Sequence, residues 1–233
     1  MIKVIFPKIS STQKDFFDYK TTKKILSHHD FVVQSFIQNT GYGRGGKVWY
    51  SPNGNIYLTI NRAIKQKDIL LNSFYTCYLV HKFIKENYSI NLQYKWPNDL
   101  YFNNQKILGV IANSKIIGKF SIIQIGVGLN INKSPIKTSI NLSKIISKKI
   151  SIFSISNHLL SFIKNSFRNN YSKANIVQYL NKHLMKNFIL NHPKFSNLKN
   201  IKILSLNSDL SLQIKANHEL HNIYFGELNE CSY

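Results

Sequence analysis

Two short stretches of the chain combine residue types that could do chemistry on an anionic substrate. Residues 95–99 read Lys-Trp-Pro-Asn-Asp. Pro97 biases the residue before it to extended backbone. Lys95 and Trp96 are therefore expected to end a strand, with Asn98 and Asp99 in a polar turn where binding groups commonly sit. A second lysine, Lys106, leads into an apolar run. Residues 39–55, NTGYGRGGKVWYSPNGN, hold five of the ten glycines. Gly41, Gly43, Gly45 and Gly46 free the backbone to adopt positive φ and bring amide N–H groups close to a ligand. Arg44 lies between them and is one of three arginines, with Arg62 and Arg168, in a chain whose other basic residues are lysines. A planar guanidinium grips a carboxylate or phosphate with two parallel hydrogen bonds, which an ammonium cannot do. Trp49 follows, and its indole reads either as a hydrophobic plug or as a stacking platform for a purine. The loop is not a Walker A sequence and lacks the strand-to-helix setting of a dinucleotide-binding fingerprint.

These stretches need a scaffold. β-branched runs predict strands over 2–6, 31–37, 56–61, 107–112 and 121–131. In 56–61, Ile56, Leu58 and Ile60 alternate with Tyr57, Thr59 and Asn61, so the strand presents two different faces. Residues 121–132 are more continuously apolar, as in a strand buried on both sides. Helical periodicity is weak over 12–26, strong over 69–86 with Asp68 as N-cap, and present over 156–171 and 174–187. After Pro193 the pattern changes to three short strands separated by Asn-rich turns. Strands with few helices, followed by a β appendage, predict an α+β fold: a mixed sheet with flanking helices and a small C-terminal β domain. The division is placed at residue 188, giving units 1–188 and 189–233.

Composition narrows the function classes. The 233 residues are 43% hydrophobic, enough for a substantial core. A net charge of +21 raises nucleic-acid binding as a rival. The lysines are scattered through an Ile- and Asn-rich background rather than gathered into a stripe, so the charge reads as a solvated background. Two cysteines, Cys77 and Cys231, supply neither a disulfide framework nor a metal pair. The longest apolar stretch, 69–84, is interrupted by polar residues and falls short of a membrane span. The chain is expected to be cytoplasmic, without membrane association.

On these motifs the chain resembles the biotin protein ligases. The five-residue string at 95–99 is the most recognisable of them. Around it, in matching order, stand SSTQ at 10–13, GYGRGGKVWYSPNGN at 41–55, QKILGVIA at 105–112, IGVGLNIN at 125–132, INLSK at 140–144 and FGEL at 225–228. The resemblance implies a catalytic domain like that of class II aminoacyl-tRNA synthetases, an SH3-like C-terminal domain, and biotin, ATP and Mg2+ as reactants. It implies biotin binding by Ser11, Thr12, Gln13, Asn39, Tyr42, Gly43, Arg44 and Lys95. It implies ATP binding by Trp49, Asn98, Lys106 and Asn130, and catalysis by Lys95, Arg44 and Lys106, with no protein metal ligands. The implied partner is the biotin carboxyl carrier domain of a biotin-dependent carboxylase. The stretch ahead of SSTQ is too short for a helix-turn-helix, so no specific DNA binding is expected; a homodimer through sheet edges stays open. Two departures stand out. The first arginine of the usual Gly-Arg-Gly-Arg loop is Tyr42, and the usual glutamate beyond the second lysine is Asn113. Asn39 replaces a common glutamine or threonine. A lipoate or octanoate transferase of the same fold is the nearest rival, without the 95–99 string, followed by a non-catalytic biotin- or nucleic-acid-binding protein.

Overall fold

In the computed structural model, residues 2–14, 30–64, 69–117, 120–168, 172–188, 190 and 201–230 are described. The expected helix over 12–26, apart from residues 12–14, and the Asp68 cap expected for the next helix lie outside these residues. Among them, seven strands form one sheet: β1 (Ile2–Phe6), β2 (Phe31–Ser35), β3 (Ile56–Ile64), β4 (Gln93–Lys95), β5 (Asp99–Phe102), β6 (Gln105–Ile117) and β7 (Phe120–Leu129). Their order is β1-β2-β3-β7-β6-β5-β4. The β1–β2 pair is parallel and the other pairs are antiparallel, so the sheet is mixed as expected.

Helix α1 (Ile69–Tyr88) crosses β5, β6 and β7. Phe74, Cys77, His81 and Ile84 recur at helical spacing and are fully buried against the sheet, which places Cys77 in the core. A short helix, α2 (Leu142–Ile145), is capped by the Asn141 side chain, which accepts from the Lys144 amide. Helices α3 (Ile152–Arg168) and α4 (Lys173–Lys182) pack beside α1. A second sheet of three antiparallel strands follows: β8 (Lys202–Leu206), β9 (Leu212–Ala216) and β10 (Glu219–Ile223). Its Ile203, Leu206, Leu212 and Ile214 are buried in continuity with the main core. The Asn181 side chain ties it to α4, donating to the Leu206 carbonyl at 2.8 Å and accepting from the Leu206 amide at 2.7 Å.

Several expectations need correction. The strand expected through 121–131 ends at Leu129, and 31–37 shortens to 31–35. The last of the three short strands expected after Pro193 ends at Ile223 and gives way to a 3-10 helix (Phe225–Glu230). Trp96 does not extend β4; it begins the turn. Most instructive is β7, which is not apolar on both sides. Ile123, Ile125, Val127 and Leu129 face the core, while Gln124, Gly126 and Gly128 share the other face. In a pleated strand glycines interrupt an apolar run invisibly, because they bring no side chain to either face.

Candidate active site

Cross-strand register puts three rows of residues on the face of the sheet opposite α1. From β3 through β7 to β6 they run Tyr57–Gly128–Gly109, Thr59–Gly126–Ile111 and Asn61–Gln124–Asn113. The second face of β3 seen in the alternation of 56–61 is thus the floor of a site. The glycines make this floor shallow enough to be covered. A Cβ on Gly128 would lie 2.5 Å from the Trp49 ring, and one on Gly126 would lie 2.9 Å from Gln13 Nε2. Above the floor lies a cavity of about 380 Å³, within the range of small-molecule sites.

One end of the cavity is built of hydroxyls and amides. Ser11, Thr12 and Gln13 are all buried. The Gln38 side-chain oxygen accepts from the Thr12 amide at 2.9 Å and from its hydroxyl at 3.1 Å. Thr59 donates to the Thr12 hydroxyl at 2.9 Å. Gln38 Nε2 donates to Ser51 Oγ at 3.0 Å, and Ser51 donates to the Trp49 carbonyl at 2.9 Å. Gln124 donates to Asn61 Oδ1 at 3.0 Å. A buried network with this degree of pairing holds its members in place for a polar, uncharged ligand group.

The other end is charged. Lys95, at the end of β4, points its ammonium 5.1 Å from the Tyr101 ring centroid and 5.0 Å from that of Phe188. Burial lowers its pKa, against an opposing pull from Asp99. Lys106 Nζ lies 2.6 Å from Asp99 Oδ2 and 5.2 Å from the centre of the Trp49 ring. Asp99 Oδ1 is buried without a hydrogen-bond partner among the described residues. Three residue-types of one turn thus divide their labour: Lys95 and Asp99 face the cavity, while Trp96 is buried and donates Nε1–H to the Leu210 carbonyl at 3.1 Å. Asn98 lines the cavity but commits its amide to the Val110 carbonyl at 2.6 Å.

Residues 41–49 form a small hairpin over the cavity. The Trp49 amide donates to the Gly41 carbonyl at 2.9 Å and the Gly43 amide to the Lys47 carbonyl at 2.6 Å. The tip turns at Gly45 and Gly46, with φ of 64° and 73°, which explains glycine at both. Tyr42, Gly43, Arg44, Lys47 and Trp49 line the cavity. Arg44 lies with its guanidinium carbon 5.2 Å from the Phe225 ring centroid. Trp49 covers the glycine floor, with its Nε1–H unpartnered among the described residues.

The cavity therefore gathers Ser11, Thr12, Gln13, Tyr42, Gly43, Arg44, Trp49, Lys95, Asn98 and Lys106 from the positions singled out in the sequence. Two others are not in its lining. Asn39 lies at the hairpin's base, its amide donating to the Ile9 carbonyl. Asn130 is buried below, where its oxygen accepts from Asn55 at 3.3 Å. Sequence reasoning missed Gln38, Thr59, Gln124 and Asp99 as lining or supporting groups. Two of them had a signal, Asp99 in the 95–99 string and Thr59 in the alternation of 56–61. Asn55 was also missed: it is fully buried, and its oxygen accepts from the backbone amides of Ile131, Asn132 and Lys133.

The model of the biotin/lipoate A/B protein ligase family matches residues 5–130. Human biotin--protein ligase is 35% identical over 112 residues, which cover 44% of this chain and 15% of that protein. The bifunctional ligase/repressor BirA of Bacillus subtilis is 27% identical over 179 residues, covering 69% of this chain and 52% of that protein. The chain spans about half the length, or less, of these relatives. In fold it is similar to the biotin protein ligase of Aquifex aeolicus solved with biotin and ATP (TM-score 0.73, 19% identity, 97% of each chain). It is less similar to P. falciparum LipL1 solved with lipoate (TM-score 0.51, 15% identity, 73% of this chain and 64% of that one). With the family match running over more than half of its length, through both cavity-forming stretches, this chain belongs to the biotin/lipoate A/B protein ligase family.

Proposed function

We propose that this chain is a biotin protein ligase. The observation that carries the reading is one cavity with two unlike ends: a buried hydroxyl-and-amide end, and an end with two lysines, Lys95 and Lys106. The first suits a neutral ring with both donors and acceptors, such as the ureido group of biotin. The second suits a carboxylate meeting a phosphate. The similarity to biotin--protein ligases, rather than the weaker likeness to a lipoate-bound structure, favours biotin over the lipoate reading.

In this reading a carboxylate oxygen of biotin attacks the α-phosphorus of ATP. The bond to the bridging oxygen of pyrophosphate breaks, and biotinyl-5′-AMP remains. The protein contributes position and charge rather than a covalent intermediate. Lys95, Lys106 and Arg44 offset the negative charge on the phosphoryl oxygens in a site closed from water. Trp49 offers a face for the adenine. The ε-amine of a carrier lysine then attacks the acyl carbon, the bond to AMP breaks, and the amine gives up a proton. Mg2+ belongs to this scheme as part of the nucleotide substrate. Among the described residues no three His, Cys, Asp or Glu cluster as a resident site. The unpartnered oxygen of Asp99 fits an ion held mainly by phosphate oxygens. We assign residues 1–188 as the catalytic unit and 189–233 as a small unit that reaches the site through Leu210 and Phe225.

The test is incubation of the purified protein with ATP, biotin and a biotin carboxyl carrier domain, followed by a biotin blot, with lipoate or octanoate in parallel. Labelling of the carrier by biotin alone is the expected result. Lipoyl transfer without biotinylation would replace this reading with the rival one.

A further inference from the structure

The hairpin over residues 41–49 is held to the body of the protein at three places. Trp49 lies on the glycine floor, Arg44 stacks on Phe225, and on the first arm Tyr42 meets β6. There the Asn113 side chain donates Nδ2–H to the Tyr42 hydroxyl at 3.2 Å. Tyr42 also bridges to Val48 across the hairpin. The Lys14 ammonium lies 4.8 Å from the Tyr42 ring centroid, which brings in the segment carrying Ser11, Thr12 and Gln13. One side chain thus joins the hairpin, the polar end of the cavity and the sheet.

The sheet supplies the other half of this contact through its register. Asn61, Gln124 and Asn113 form a row across β3, β7 and β6. The first two are buried and bonded to each other, while Asn113, at the outer end of the row, is exposed. Its amide is therefore free of the inner network and turned to the hairpin. Tyr42 and Asn113 are also two positions at which the sequence departs from the pattern it resembles, where an arginine and a glutamate are usual. The two departures touch. An unpaired arginine at 42 would place another cation beside Lys14, over a cavity already lined by Lys47 and Lys95, in a chain of net charge +21. A phenol and an amide make the contact without charge, and salt does not screen it.

We infer that Tyr42 and Asn113 are a paired positioning contact, an uncharged latch that holds the glycine hairpin closed over the cavity before a ligand binds. Ligand contacts then tighten a loop that is already placed, rather than ordering one from scratch. The inference rests on the proposed site for its purpose, and its test does not. Hydrogen exchange of the ligand-free protein at the Gly43 and Trp49 amides, which bond within the hairpin, reads how often the hairpin comes apart once its hold on the sheet is lost. Asn113→Ala and Tyr42→Phe should each raise exchange there about two- to ten-fold, the range of one net hydrogen bond. The double variant should add nothing further, because one contact is removed in all three. Asn113→Asp should restore protection, since the Tyr42 hydroxyl can donate to a carboxylate. Amides of β3 and α1, and the melting temperature, should stay at wild-type values. Unchanged exchange in Asn113→Ala, additive single effects, or no recovery in Asn113→Asp would each overturn the latch. A protein that made no biotinyl-5′-AMP would defeat the proposed function while leaving this test intact.

Discussion

Trp96 and Trp49 stand at the same cavity and are held in different ways. Trp96 sits in the turn between β4 and β5, which is fixed from several sides. Its indole is 2% exposed and bonded to Leu210, Tyr94 donates to the Pro97 carbonyl at 2.6 Å, and the Tyr94 backbone pairs with His183 and Met185 beyond α4. Behind that strand, the fully buried His81 ring bonds the Leu92 carbonyl and the Tyr179 hydroxyl, each at 2.8 Å. Trp49 belongs to a hairpin with a glycine tip, held to the body by the side-chain contacts of Tyr42, Arg44 and Trp49 and flanked by the exposed Val48 and Tyr50. The difference teaches where each residue's contribution is expressed. A reactive cation is best carried by a turn that cannot shift, while a cover over the ligand must be able to open.

The largest expected effect is on stability. Trp96→Ala should destabilise the fold by about 3–5 kcal/mol, read by denaturant unfolding, through loss of a buried aromatic and an orphaned Leu210 carbonyl. A loss under about 1 kcal/mol would remove the contrast with Trp49. Lys95→Ala should leave the melting temperature near wild type. It should lower the rate of biotinyl-5′-AMP formation at least ~100-fold, as expected for a positioned charge stabiliser. Near-normal pyrophosphate release in this variant would make Lys95 a bystander.

Acid should destabilise the fold behind the fixed turn. Burial lowers the His81 pKa from its ordinary 6.5 to about 4, with the neighbouring His183 adding to the effect. The unfolded chain then binds a proton at this site that the folded one refuses. Stability contributed by neutral His81 is intact above 6.5, falls as pH drops towards 4, and changes no further below that. The loss should be on the order of 3 kcal/mol. Unfolding free energies at pH 7 and pH 4.5 should differ less in His81→Gln than in the wild type; equal slopes would show that other groups set the acid response.

Hairpin variants should change ligand handling more than folding. Arg44→Gly should shorten the residence of biotinyl-5′-AMP about ten- to a hundred-fold, the equivalent of one charge-assisted hydrogen bond. Escaped adenylate would appear as biotin on added albumin, with Arg44→Lys intermediate. Normal synthesis without bystander labelling would remove the assigned grip. Trp49→Ala should weaken ATP by a similar amount, about 1–3 kcal/mol, while sparing biotin. Equal weakening of both ligands, with a lower melting temperature, would make Trp49 a plug like Trp96.

The behaviour of the arginines shows where local reasoning overreaches. Their rarity drew attention to Arg44, which does line the cavity. Yet Arg62, kept just as selectively, pairs with Asp30 at 2.9 Å and stacks on Phe167, away from that cavity. A planar fork is needed for packing as well as for substrates, and a linear sequence does not distinguish the two.

Features that depend on neighbours along the chain are legible in the residues alone. The alternation of Ile56, Leu58 and Ile60 with Tyr57, Thr59 and Asn61 is set by the strand's two-residue period, and the helical spacing in α1 by its 3.6-residue period. The tip at Gly45 and Gly46 follows from backbone sterics, and the polar turn after Pro97 from its fixed ring. What those faces meet is set by the assembled sheet. Cross-strand register aligned Gly128 with Gly109 and so made room for Trp49. It carried Gln124 beneath Gln13, and it set Asn113 against Tyr42, 71 positions apart. Pairing across strands is a property of the whole sheet, fixed by the sum of buried contacts along every strand. No local stretch encodes it.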